Sequence, residues 1–575
     1  MEFVIGNFEF ESSKIFDDSI FYFGDIDIMD DYLVAFDGYF ISEKEREYTS
    51  ILNHIGELSY YKEGVYNIIV YSRQNKCLEI MNDREGIVPL YIYHLENKFI
   101  VSNNVWLIYK ILSEIIQIDE RSLTFQFAYY TDPNPERTLF KNIIHVSPSS
   151  YLRYDTLHTT LFRRKYWQFE YKPEINISIE SIVEHLDFKF IELFTFLKSN
   201  NPNSIFGFGN SGGFDSRLIA YYSSLIKLPI KSFVICKKSR FLESTTELLS
   251  NKIAKVYGFD NQIIESTNQK ILEQFLIDIR NNPFGPCEVY KNNLNNRIDY
   301  DIHLTGQPGG LAYILPPSIG KGNIDDLYKH FDYFLGFAQF SLSPGRYFMS
   351  RACKHLGVNF NKYNGALGVN NNLLYPLLRK FQHEDAYDEM VSIVNTFKGN
   401  SNVETWVRIH DAITTKYVYA GGYESLNRTK KTYYLYSPHF YNIIHNIPFE
   451  YFENKYIIRK LYKKIDKRLS SIPGQNFQSA NNKGFSIFKK LEMGVRGRGM
   501  NIDYLLREKE FENFLSKVLL VKNDFFETFF ESKKILYSPL RYSAIGLNII
   551  KLKIMLDMIS NKNIDVLFDD KFLIK

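Results

Sequence analysis

Cysteine is scarce in this sequence. The chain carries four, Cys77, Cys236, Cys287 and Cys353, far apart and without CxxC or Cys/His spacing. That excludes a disulfide framework and a cysteine-built zinc site. Also missing is any run of about 18 apolar residues, so no membrane span is expected. The start, Met1-Glu2-Phe3-Val4, has neither a basic n-region nor a long apolar h-region. No signal peptide is expected, and the expected location is cytoplasmic. No charge of one sign dominates: 69 Lys+Arg against 66 Asp+Glu leave a net +3, too little for a nucleic-acid binder held by bulk charge. No Gly-Lys-Ser/Thr follows a glycine-rich turn, which excludes a Walker A loop. Internal repeats and low-complexity tracts are not evident.

What is present is ample apolar and aromatic material: 45% hydrophobic and 16% aromatic residues, with 42 Tyr and 48 Phe. At 575 residues the chain is too long for one core, so at least two domains are expected. Up to residue 165 the pattern is β-rich, with strand-like runs at Tyr32–Phe36, Val65–Tyr71, Cys77–Met81 and Lys98–Ser102. Helical patches at Glu43–Ile55 and Val105–Ile116 interrupt them. The polar stretch Gln168–Asn176 reads as a linker. From residue 180 helices and strands alternate: helix Ile179–Leu197, strand Ile205–Phe208, strand Ile230–Cys236, helix Glu243–Tyr257, strands Gln262–Ile264 and Ile302–Thr305. This alternation implies a parallel sheet with right-handed crossovers and a ligand site beyond the strands' carboxyl ends. After residue 325 the pattern is mostly helical.

Ser211-Gly212-Gly213-Phe214-Asp215-Ser216 falls at one such strand end and opens a helix with Leu218, Ile219, Tyr222 and Leu225 on one face. Two glycines let backbone N–H groups converge, and the helix N-terminus adds partial positive charge. This makes a cradle for an anion, best a phosphate chain, with Ser211 and Ser216 as hydroxyl donors. Asp215 beside phosphate calls for Mg2+ between them. A tight strand-to-helix turn with no ligand is the alternative. Gly306-Gln307-Pro308-Gly309-Gly310-Leu311 ends a neighbouring strand.

The loop resembles the pyrophosphate loop of the N-type ATP pyrophosphatases, and the ordered set of segments resembles the asparagine synthetase B superfamily. Phe36-Asp37-Gly38-Tyr39-Phe40, Gly64-Val65-Tyr66, Asp83 to Tyr91, Arg137 to Ile143 and Tyr166-Trp167 are similar to segments of that family's N-terminal glutaminase domain. Lys483-Gly484-Phe485-Ser486 resembles a late segment carrying a lysine near the phosphates. The resemblance implies a multidomain α/β chain. Residues 1–165 would form an Ntn-hydrolase-like αββα sandwich. Residues 178–575 would form a parallel-sheet ATP pyrophosphatase domain, adenine nucleotide α-hydrolase-like, with a helical extension. It implies ATP and Mg2+, with Ser211, Gly212, Gly213, Asp215, Ser216 and Gly306 around the nucleotide.

Two departures qualify the resemblance. Ntn glutaminases need a cysteine at the processed N-terminus, its α-amine serving as base; position 2 here is Glu2, and the first cysteine is Cys77. Asp37 stands where the family has a glutamine-site Asn. No glutaminase activity is therefore expected. The family's Gly-Asp-Gly-x-Asp-Glu segment is here Gly306 to Leu311, so Gln307 offers Mg2+ an amide oxygen in place of a carboxylate.

Other residues admit two readings each. Lys483 would offset charge on departing pyrophosphate, or is a surface lysine. Glu424, in a Gly-x-Glu-like segment, would orient the amine or act as base, or is a solvated carboxylate. Arg496 and Arg498 on a glycine-rich loop would clamp an anion, or are a basic surface loop. His303 and the Tyr433–Tyr436 aromatics read as packing. The activity implied is an AMP-forming amide ligase that adenylates a small-molecule or peptide carboxylate and couples it to ammonia or an amine. The β-lactam synthetases and lasso-peptide cyclases resemble this layout. The alternative is a non-catalytic or regulatory nucleotide-binding relative.

Overall fold

A computed structural model describes residues 2–40, 63–129, 132–236, 245–265, 271–281 and 299–306, and stretches within 389–408, 431–435, 445–472, 509–532 and 544–568, less a few isolated positions. The chain is mixed α/β. Its N-terminal part forms twelve strands: β1 (Phe3–Gly6), β2 (Lys14–Asp17), β3 (Ile20–Gly24), β4 (Asp27–Met29), β5 (Tyr32–Phe40), β6 (Gly64–Ser72), β7 (Cys77–Asn82), β8 (Tyr91–Leu95), β9 (Lys98–Ser102), β10 (Ile143–His145), β11 (Ser150–Asp155) and β12 (Thr160–Lys165). They make two six-stranded sheets, ordered β10-β8-β9-β1-β3-β2 and β12-β11-β7-β6-β5-β4. Every pairing in both sheets is antiparallel.

The two-residue period of the strands decides what lies between the sheets. Phe3, Ile5, Phe99 and Val101 of the first sheet share a core with Leu33, Ala35, Ile69 and Leu78 of the second. The alternate residues Val4 and Ile100 face the other way, into the core that receives helix α1 (Val105–Leu112). Alternate residues of the second sheet, Val34, Ile68, Val70 and Met81, form a separate buried cluster. Among the described residues this gives the expected sandwich with helix on one outer face. The expected helix Glu43–Ile55 lies outside the described residues, as do most of those after 325.

Further along come α2 (Glu120–Tyr129), α3 (Ile179–Asn200), β13 (Phe206–Gly209), α4 (Phe214–Ile226), β14 (Ile230–Cys236), α5 (Thr245–Tyr257), β15 (Asn261–Glu265), α6 (Ile271–Asn281), β16 (Ile302–Thr305) and β17 (Lys431–Tyr434). The third sheet is wholly parallel, ordered β15-β14-β13-β16-β17. Helix α3 starts where Ser178 Oγ accepts the Ser181 N–H at 3.1 Å. It then buries Ile182, Val183, Leu186, Phe190, Leu193, Phe194 and Leu197, the three-and-four spacing of one helical face. Helix α4 ends at Lys227, which takes the left-handed conformation (φ 56°) and returns its N–H to the Ser223 and Ser224 carbonyls.

Helices α7 (Tyr456–Ile465), α8 (Lys467–Ser471), α9 (Lys509–Leu520), α10 (Asp524–Phe529) and α11 (Ala544–Ser560) follow. The stretch expected to be a linker is a packed strap without helix or strand. Lys172 N–H reaches His445 O at 3.0 Å, Glu174 N–H reaches Asn446 O at 2.9 Å, and Tyr171 Oη donates to Ile447 O at 3.2 Å. Its polar composition hid the apolar anchor, Phe169, which is buried.

Helix α6 joins the two parts of the fold. Trp106 of α1 donates its indole N–H to Ile279 O at 3.0 Å. On the same helix Asp278 meets Lys551 of α11 at 2.9 Å, both side chains 1% exposed. Removing one partner would leave the other charge buried. Asp278→Ala is therefore expected to cost about 3–5 kcal/mol, read as a lowered urea midpoint. The apolar pair Asp278→Leu with Lys551→Met should lose much less. Equal losses in the single and double variants would contradict this account.

Candidate functional site

The third sheet reverses its strand order between β13 and β16: β14 and β15 extend from one side of β13, β16 and β17 from the other. A crevice opens at the carboxyl ends of two strands whose connections depart in opposite directions. The Ser211 turn follows β13, and Gly306 follows β16, so the topology brings the turn and Gly306 to that end of the sheet.

The turn is built for close backbone approach. Gly212 sits at φ +73°, and a Cβ there would lie 2.7 Å from Leu249 Cβ. Conformation and space both demand glycine. Gly213 is the N-cap of α4, at φ −70° and ψ 176° with no side-chain cap. Among the described residues a Cβ on Gly213 would meet only Ser211 Oγ, at 3.2 Å, so their packing does not require a glycine there. The exposed Ser211 hydroxyl accepts the Gly213 N–H at 3.3 Å. Ser216 is buried, and its hydroxyl donates to Gly213 O at 3.1 Å; it stabilises the helix start.

Asp215 and Gly306 touch. A Cβ on Gly306 would fall 2.4 Å from Asp215 Cβ, so this carboxylate lies against the bare backbone at the end of β16. Among the described residues no group of three or more His, Cys, Asp or Glu is placed to hold a metal ion. One carboxylate suits Mg2+ when phosphate oxygens complete its coordination, and the open face of Gly213 leaves room for such a chain. Gln307, Glu424 and Lys483 lie outside the described residues, as do Arg496 and Arg498.

Three residues here went unmarked in the sequence. Asn210, Arg217 and Tyr462 are each buried and bond to the turn, to its helix or to α5. Asn210 Nδ2 donates to Ser250 O at 3.1 Å. A polar or charged residue on an otherwise apolar face was the available signal, most of all Arg217 between Ser216 and Leu218. His303 packs against the rings of Phe233 and Tyr300, at centroid distances of 6.1 and 5.9 Å. Tyr433 and Tyr434 are buried in β17, which adds a fifth strand to the sheet.

The other centre begins at residue 2. Glu2 Oε1 accepts from Asn104 Nδ2 at 2.9 Å and from Arg280 Nη2 at 3.1 Å. Arg280 also donates Nη1 to Leu567 O at 3.0 Å. Asp37 Oδ2 accepts from Asn103 Nδ2 at 2.7 Å. Position 2 thus holds a charge-paired acceptor. Cys77 is in the other sheet, paired with Ser72 and Asp155. Asp83 is fully buried; desolvation pushes its carboxyl up to about 7, against the backbone N–H groups of Glu85, Tyr66 and Ile87. That turn carries Arg84 over the Trp167 ring at 4.8 Å.

The family description that matches is a glutamine amidotransferase domain, over residues 50–167. The N-terminal part is thus similar to a broad amidotransferase class and is not assigned to one member. No curated protein matches the chain. Among solved structures, one described as the allosteric regulatory enzyme of purine biosynthesis is 10% identical, over 41% of this chain and 60% of that one, with a TM-score of 0.17. An NH3-dependent NAD synthetase from Campylobacter jejuni is 14% identical, over 42% and 96%, at 0.18. An NMN synthetase from Francisella tularensis is 16% identical, over 43% and 98%, at 0.17. The chain spans 60% and 55% of the first two solved structures it matches, the second being a glutamine phosphoribosylpyrophosphate amidotransferase from B. subtilis. No helix among the described residues is long and apolar enough to cross a membrane.

Two outcomes are expected. With glutamine as substrate, glutamate release should not exceed the blank, and Cys77→Ala should change nothing; hydrolysis abolished by that substitution would refute the assignment of position 2. At the crevice, Gly306→Ala must displace Asp215. It should lower Mg2+-ATP affinity about tenfold in calorimetric titration, roughly 1.4 kcal/mol, and lower the melting temperature too, since the displaced atom is the Asp215 Cβ rather than a flexible tip. Unchanged affinity would dissociate Asp215 from the nucleotide.

Proposed function

We propose that this chain is an ATP-dependent, AMP-forming amide ligase of the asparagine synthetase-like kind, without glutaminase activity. It would be organised as residues 1–165 and 178–575. The observation that carries the reading is the glycine turn opening α4 at the switch point of a parallel sheet, with Asp215 against Gly306. Such a turn presents N–H groups and a helix N-terminus to a phosphate chain. A loop of this kind holds the β- and γ-phosphates together as the leaving group, which directs attack to the α-phosphorus.

In the proposed reaction a carboxylate oxygen of the acyl substrate attacks the α-phosphorus. The bond to the β-phosphate breaks, and pyrophosphate leaves an acyl-adenylate. An amine or ammonia then attacks the acyl carbon, losing a proton as AMP departs. The Ser211–Gly213 turn binds the pyrophosphate portion, and Asp215 with Gln307 would hold Mg2+, which supplies charge neutralisation on the phosphate oxygens. Lys483 is proposed to offset charge on the leaving pyrophosphate and Glu424 to orient the amine or take its proton. Glu2 provides no thiol for releasing ammonia from glutamine, so nitrogen comes from free ammonia or an amine-bearing substrate. Gln307, in a place where the family has a carboxylate, favours a second reading as a non-catalytic nucleotide-binding relative.

Incubation with ATP, Mg2+ and panels of carboxylates and amines, followed by nucleotide chromatography, separates the two. AMP with pyrophosphate is the expected product, and Lys483→Ala should slow the reaction by ~10²–10³. ADP as product would overturn the AMP-forming, pyrophosphatase-type reading. Bound ATP without turnover across the panel would favour the non-catalytic one.

A further inference from the structure

Arg217 is 1% exposed, three positions into α4 and one after Ser216. Its guanidinium faces backbone. Nε and Nη2 both donate to Gly212 O, at 3.1 and 2.9 Å. Nη1 donates to Leu469 O at 3.0 Å and to Ile472 O at 2.8 Å. A single side chain therefore ties the carbonyl in the middle of the glycine turn to the end of α8. The neighbouring helix repeats the arrangement: Tyr462 of α7 donates its hydroxyl to Phe214 O, and its ring stacks on Phe214 with centroids 5.6 Å apart. Tyr257 of α5 also reaches this layer, donating to Asp466 at 3.0 Å.

The peptide bond is planar and trans, so a carbonyl and the N–H that follows it point in opposite directions. Drawing the Gly212 carbonyl inward onto Arg217 turns the Gly213 N–H to the opposite side of the peptide, where it meets the exposed Ser211 hydroxyl at 3.3 Å, a weak bond that an arriving anion would replace. Gly212 has no Cβ, and its peptides would otherwise rotate freely among glycine's many allowed conformations. The Phe214 carbonyl, held by Tyr462, fixes the Asp215 N–H in the same way. A donor that is already aimed needs no reorganisation when an anion arrives.

We propose that Arg217 and Tyr462 are positioning residues: from the inner side of the turn they aim the Gly213 and Asp215 N–H groups at the pyrophosphate portion of a bound nucleotide, so that phosphate affinity depends on α7 and α8. This rests on the nucleotide reading above. Burial keeps the Tyr462 hydroxyl protonated, its pKa raised well above the ordinary tyrosine value, so it remains a donor across the working pH range.

The test compares three probes, ATP, inorganic pyrophosphate and AMP, each with Mg2+, by calorimetric titration of the full chain. Arg217→Met removes the donors while keeping most of the stem. Tyr462→Phe removes one hydroxyl from a residue of the same shape and serves if the first variant does not fold. Affinity for ATP and pyrophosphate should fall about tenfold in Arg217→Met and severalfold in Tyr462→Phe, with AMP affinity unchanged, because only the phosphate-facing donors lose their aim. Arg217→Lys, which can still donate to a carbonyl but cannot fork to several, should fall between wild type and Arg217→Met. Equal losses for all three probes, or a lowered melting temperature with unchanged affinities, would reduce both residues to structural supports and overturn the proposal. Wild-type protein that binds neither ATP nor pyrophosphate would instead remove the nucleotide reading itself, and this proposal with it.

Discussion

The peptide joining Gly212 to Gly213 carries the constraint on which the site depends. Its carbonyl is held by a buried guanidinium at 2.9 and 3.1 Å, and its N–H belongs to Gly213, where, among the described residues, a Cβ would meet no backbone or core atom. Gly212 must be glycine because of Leu249 and its positive φ; Gly213 need not be, as far as the protein's own packing goes. An internal requirement at one glycine beside none at the next is what a backbone cradle demands. The first residue makes the bend, and the second leaves the space for whatever the bend presents.

Parallel topology puts this turn to use. β13 is the middle strand of five, and the chain leaves it first toward β14 and later returns on the far side as β16. Had β16 been added outside β15, Gly306 and Asp215 would be several strands apart. The crevice is thus a property of strand order. The long sequence separation between β16 and β17 shows that the sheet is completed by chain far removed from the motif.

The strands nearest the motif were legible because they are short apolar runs bounded by turn residues. Lys98–Ser102, Ile230–Cys236 and Ile302–Thr305 fall where the pattern puts them. So was the location of the glycine turn. Strand β17 was not legible: Lys431-Thr432-Tyr433-Tyr434 is four residues without alternation, and its partner lies more than a hundred residues earlier. Short strands such as β2, β4 and β10 were missed for the same reason, since they take their conformation from pairing rather than from local preference. Arg217 stands out as a charge on an apolar face, but its role and that of Tyr462 were not legible, because their partners are backbone carbonyls and a carbonyl has no letter in the sequence. The strap at Gln168–Asn176 misread as a linker because its bonds, too, run from backbone to backbone.

The same accounting gives Glu2 a structural role of its own. A thiol at that place needs an unencumbered neighbourhood and a base. Glu2 instead has an amide from Asn104 and the guanidinium of Arg280, and Arg280 continues to the Leu567 carbonyl. Arg280 follows Asp278 and Ile279 on α6. One helix end therefore contacts α11 through Asp278, α1 through Ile279 and the first strand's approach through Arg280. Glu2 is 32% exposed, so its pair contributes modestly by itself, whereas the Asp278–Lys551 pair is fully enclosed. The enclosed pair fixes α6 among the helices, and the partly exposed one registers that helix against the sandwich. A thiol at position 2 would leave the Arg280 guanidinium without this carboxylate at a site where its side chain is only 7% exposed. Placing a cysteine there would thus disturb the joint between sandwich and helices.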